Sequence, residues 1–110
     1  MIIKTDPVLY VEKAETPLEW ELGLSNRESL REDSGMLFIF PEEKYRHFWM
    51  KDTYFPLDIY FMNKNKCIVH IHKNAIPKST ELIYSKYLTK FVLETNIGIL
   101  NLKVGDCIDF

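Results

Sequence analysis

Leu57-Asp58-Ile59-Tyr60-Phe61-Met62, then Asn63-Lys64-Asn65-Lys66, then Cys67-Ile68-Val69-His70-Ile71-His72, reads as a β-hairpin. Leu57, Ile59 and Phe61 fall on one face, and Asp58, Tyr60 and Met62 on the other. That is the period of two a strand imposes. Four polar residues between two apolar runs supply the turn. This pairing makes the chain mainly β.

Upstream, Gly35 to Asp58 offers two strand candidates around a charged loop. Met36 to Phe40 is the first, ended by Pro41; Glu42 to Arg46 is a solvated loop, and His47 to Met50 is the second. Asp52 to Pro56 then turns the chain into the hairpin. Earlier still, Thr16-Pro17-Leu18-Glu19 is a helix start, with Thr16 as cap, Pro17 in the first position and Glu19 closing a capping box. Leu18 and Leu22 share one face, which is expected to lie on the sheet, and Gly23 offers the exit. Ser25 and Glu28 suggest another turn ending near Leu30, before a polar turn from Arg31 to Gly35. Met1 to Val11 holds a first strand broken at Pro7, a residue suited to an edge or bend.

Downstream, Ala75 to Ser79 is a loop, and Leu82 to Tyr87 and Phe91 to Glu94 are strand candidates. Asn96 to Leu102 suggests a helical turn, and Gly105-Asp106 leads into a final strand, Cys107 to Phe110. Six to eight short strands with one or two short helices predict a small jelly-roll-like sandwich or closed barrel. An α+β arrangement is the alternative. The 110 residues fit a single domain, 1–110, able to bury roughly two thirds of its extended surface.

A net charge of -2, with no block of like charge, gives no strong nucleic-acid signal. No apolar run is long enough for a transmembrane segment. With no signal peptide visible, the sequence as given reads as cytoplasmic. Cys67 and Cys107 read as small buried thiols, with a disulfide open if their strands pair. Nucleotide-binding and nucleophile-elbow fingerprints are missing, so no cofactor is expected.

The motifs GLSNRESL at 23–30, GMLFIF at 35–40, FWMKDTYFPLDIYF at 48–61, VLE at 92–94 and GD at 105–106 lie in an order and spacing that spans nearly the whole chain. In them the sequence resembles the bacterial and archaeal domain of unknown function 192. The resemblance implies a small, mainly β fold of jelly-roll-like or barrel type. Many members are exported or lipid-anchored, whereas this sequence looks like a leaderless form. The family has no established activity, so it transfers no functional residue. Asp52 stands where relatives often have Asn, which removes an amide donor.

Candidate functional residues concentrate at 48–58. Lys51 supplies a cation, Thr53 a hydroxyl and Asp58 an acceptor or base, all at a tight turn between strands. Trp49 reads as core and Tyr54 as exposed; if both point outward they form a stacking platform. Arg27 and Glu94 form a second set, with Arg27 expected to pair with Glu94 or Asp58. His70 and His72, two apart on one strand face, could ligate a metal, although no metal is assigned. These residues favour a non-enzymatic binding or accessory domain for a small molecule, carbohydrate or protein surface. One rival is a hydrolase-like enzyme acting on a glycan or small polar substrate, with Asp58 or Glu94 and Lys51 as its chemical groups. The other is a metal-binding jelly roll.

Overall fold

In a computed structural model, which describes residues 1–110, the hairpin forms as its alternation requires. Its strands are β5 (Leu57–Met62) and β6 (Ile68–Ala75). Before them come β1 (Ile2–Ile3), β2 (Leu9–Ala14), helix α1 (Pro17–Leu22), β3 (Ser34–Lys44) and β4 (His47–Phe48). After them come β7 (Ile83–Tyr84) and β8 (Thr89–Asn96). Six strands form one sheet in the order β1-β2-β3-β8-β5-β6, while β4 and β7 make a small second sheet. The protein is a mainly β sandwich with one short helix.

All pairs are antiparallel except β2 with β3, which run parallel because α1 carries the chain back between them. Every residue of β5 is buried, so the main sheet is covered on both faces. One face packs Met36, Phe38, Ile59, Phe61 and Val92; the other packs Leu37, Tyr60, Met62, Phe91 and Leu93. The opposite sides of β5 named from its alternation fall into these two cores.

The helix begins as its sequence dictates. Thr16 Oγ1 accepts the Glu19 N–H at 3.2 Å, and Glu19 Oε1 accepts the Thr16 N–H at 3.1 Å. Leu18 and Leu22, expected against the sheet, are instead exposed. The helix docks through Trp20, whose Nε1–H is shared by the carbonyls of Ala14 (3.0 Å) and Ile39 (3.2 Å). Six residues present too little surface for an apolar stripe, and one hydrogen-bonded indole fixes the helix instead.

Other boundaries move for physical reasons. Pro41 does not end β3, because the register with β8 shifts between Ile39 and Lys44 and its missing donor falls in that irregularity. No helix follows Gly23, and none forms at 96–102. The segment to Phe110 is not a strand: it pairs antiparallel with the residues just before β6 through the isolated bridge Cys67–Cys107, with Ile108 N–H donating to Lys66 O at 2.9 Å. These two cysteines are disulfide-bonded and lie outside the core, which corrects the reading of buried thiols.

Candidate functional site

Glu94 stands in β8 between Met36 of β3 and Ile59 of β5, so strand alternation turns it toward the face carrying Phe38 and Phe61. Above that face, α1 and the segment running through β4 enclose a cavity of about 450 Å³. Trp20, Phe38, Phe40, Tyr45, Phe48 and Trp49 supply its aromatic lining. The rings of Phe38 and Phe48 meet edge-on at 5.1 Å, and Trp20 tilts against Phe40 at 4.8 Å.

Two glycines make this arrangement possible. A Cβ on Gly35 would stand 2.6 Å from the Glu94 carbonyl oxygen, so β3 reaches β8 at this height only with glycine there. Gly23 leaves α1 with φ +50, and its bare Cα lies beside the Phe38 ring at the cavity wall.

The carboxyl of Glu94 lines this cavity and makes no ion pair, while only 5% of the residue is exposed. Burial alone pushes its pKa up to about 8. No neighbouring charge or hydrogen bond holds it ionised. Arg46, also on the wall, spends its guanidinium elsewhere. It stacks 3.6 Å above the Phe40 ring, its Nε–H donates to Thr89 O at 2.8 Å, and a terminal N–H donates to Glu42 O.

Of the seven residues picked from the sequence, the fold brings Trp49, Thr53 and Glu94 to the cavity. Trp49 is 47% exposed at the mouth rather than part of the core, and Thr53 is buried in the wall. Lys51 is exposed, its Nζ 5.3 Å from the Trp49 ring centroid, and lies outside the lining. Tyr54 is exposed with its hydroxyl donating to Asn26 Oδ1 at 3.2 Å. Arg27 pairs with Glu12, not with Glu94 or Asp58, and its hydrogen bonds pull the Glu12 carboxyl below its ordinary value.

Asp58 lies on the other face of the sheet, opposite Thr95. Its two oxygens accept the N–H groups of Asn74 and Gly98, each at 2.9 Å. Asp58 and Glu94 therefore share no cleft, because the sheet stands between them. His70 and His72 lie opposite Phe61 and Ile59, and no cluster of three or more His, Cys, Asp or Glu is placed to hold a metal. His70 stacks on Phe61 at 5.6 Å, and its pKa is lowered by burial, then by Lys86 and His72.

Sequence reasoning missed Trp20, Phe38, Phe40, Tyr45, Arg46, His47 and Leu82 as cavity residues. The density of aromatics at 38–49 was the available signal, but it reads equally as core.

Fold and site together describe a small β-sandwich domain built around a buried aromatic cluster. The chain belongs to the DUF192 family, described as an uncharacterized ACR, which it matches over residues 1–110. A candidate transcription regulator from Sinorhizobium meliloti 1021 has a similar crystal structure, with TM-score 0.91 and 37% identity over 98% of this chain and 89% of that one. A protein of unknown function from Novosphingobium aromaticivorans DSM 12444 is also similar, with TM-score 0.91 and 30% identity over 99% of this chain and 82% of that one. No curated protein matches the chain. No helix is long and apolar enough to cross a membrane.

Proposed function

We propose that this domain binds a small, largely apolar molecule in the aromatic cavity, with Glu94 reading one polar group of the ligand. The observation that carries this is a carboxyl that lines an apolar pocket of ligand size without a protein partner. Elsewhere in a fold such a group is disfavoured, because desolvating it without a hydrogen bond costs several kcal/mol. The site therefore shifts from the 48–58 turn to the cavity behind it, keeping Trp49 and Thr53. We favour an apolar body over a small anion or a saccharide because aromatic and aliphatic side chains make up most of the lining. We favour binding over hydrolysis because two of the three groups expected to carry the chemistry lie elsewhere: Asp58 is on the opposite face of the sheet and Lys51 is outside the cavity lining.

We do not propose that this chain reads DNA, although the Sinorhizobium protein is a candidate transcription regulator. This chain carries a net charge of -2, and its single helix is six residues long. For location, we favour an oxidising compartment over the cytoplasmic one expected from the sequence. The support is the Cys67–Cys107 disulfide, with Cys67 half-buried and Cys107 exposed, a bond that reducing compartments keep open.

Amide NMR of the labelled protein tests the binding reading. Pools of amines, alcohols, small acids, sugars and nucleotides are added in turn. Shifts concentrated at 46–53 and at Glu94 are the expected result. Shifts confined to the Asp58 face would defeat it.

A further inference from the structure

Glu94 is an acid without a cation. The charged and titratable groups around it are engaged or peripheral. Glu21 projects from α1, while Tyr45, Arg46 and His47 line the β4 side of the cavity. Glu12 on β2 is bonded to Arg27, His70 and His72 stand on β6, and β3 and β5 contribute only Met36 and Ile59 beside it. Arg46 is tied over Phe40 and to two carbonyls, and no cation lowers the Glu94 pKa.

We propose that the cavity receives an organic ammonium ion, an N–H-bearing cation on an apolar body, with Glu94 as its counter-ion and the aromatic rings as the wall around it. This rests on the small-molecule reading above and names its ligand class. An ammonium N–H gives the carboxylate the charge-assisted hydrogen bond it lacks in the fold. Ring faces attract cations through their quadrupoles. The rings at this mouth already do so: Arg46 lies over Phe40 and Lys51 over Trp49. A neutral apolar ligand would leave the carboxyl without a partner, and a carboxylate ligand would meet like charge wherever Glu94 is ionised.

The chemistry sets a pH signature. Burial holds the acid protonated up to about pH 8, so the cation displaces a proton to bind. The chain has two tryptophans, Trp20 and Trp49, and both line the cavity, so intrinsic fluorescence reports on it directly. The probe is 2-phenylethylammonium, a stable cation below about pH 9, compared with the similarly shaped neutral 2-phenylethanol. Ammonium affinity is expected to rise about fiftyfold between about pH 6 and 8, and only about twofold over the next unit. The alcohol should show no such rise.

Glu94→Gln should remove the rise. A rise that persists in E94Q overturns Glu94 as the counter-ion. A second measurement needs no variant: the Glu94 side-chain carboxyl carbon, followed by NMR in the wild type, should titrate at lower pH with the ammonium bound. An unmoved midpoint overturns the proposal. If the alcohol binds at the cavity and the ammonium binds no tighter at about pH 8.5, the cation inference falls while the small-molecule reading stands. If neither compound perturbs fluorescence or cavity amides at about 10 mM, a concentration that would reveal even weak sites, both readings fall.

Discussion

Asp58 and Glu94 are carboxylates of similar burial, at 3% and 5% exposure, set one register step apart on adjacent strands and facing opposite sides of one sheet. Asp58 spends both oxygens on backbone N–H groups and ties the hairpin return at Asn74 to the turn at Gly98. Glu94 ties nothing. The contrast separates two uses of the same chemistry. A buried acid whose hydrogen bonds are met is part of the frame, whereas one left unmet beside a cavity is a candidate site. The Asp58 face is not free of cost either. Tyr60 is fully buried with a partnerless hydroxyl, its pKa pushed up to about 12 by burial and then by the charge of Asp58. No cavity lining includes it among the pockets described, so its phenol has no access to a ligand.

The contrast breaks most readily at Glu94 itself. Its folded pKa lies above its unfolded value of 4.5, so its stabilising contribution is complete below about pH 4.5 and is lost as pH rises through about 8. Urea unfolding across that window should show wild-type stability falling by up to about 5 kcal/mol relative to E94Q. Parallel curves for the two proteins would mean the carboxyl has a partner after all.

Next in size is the disulfide, which closes a 40-residue separation and pins the segment carrying Leu100 and Ile108 over the Asp58 face. Replacing both cysteines with serine should cost about 4 kcal/mol by the loop-entropy account. Thermal melts measure this, and the carboxyl NMR midpoint of Glu94 should stay put. If it moves, the two faces are coupled and the contrast is too sharply drawn.

Smallest is Asp58→Ala, which takes the acceptor from the Asn74 and Gly98 N–H groups. It should cost about 3 kcal/mol in denaturant unfolding, with ligand affinity unchanged once the protein is folded. Loss of binding at intact stability would return Asp58 to the site.

The hairpin was legible because strict alternation at 57–62 and a polar turn leave few other solutions. The α1 start was legible for the same local reason, since Thr16, Pro17 and Glu19 act within four residues. What escaped depends on distance. Leu18 and Leu22 have the right spacing for a buried face, but the docking is done by Trp20 through carbonyls of β2 and β3. Glu94 could be singled out as an acid following Phe91-Val92-Leu93, yet its assigned partner was wrong, because Arg27 meets Glu12 from a strand that sequence does not place nearby. Which of Phe38, Phe40, Phe48 and Trp49 lines a cavity and which fills a core is decided by how closely a helix packs over them. The residue pattern carries no measure of that gap.

The strand order carries a consequence for how the molecule comes into being. β8, the last strand in the chain, is inserted between β3 and β5, which both precede it. As the chain leaves the ribosome, the inner edges of β3 and β5 stay unsatisfied until residues 89–96 arrive. During that interval they are open templates for pairing with another nascent chain. Glu94 enters with that strand, so the sheet acquires its centre and the cavity its acid in the same late event.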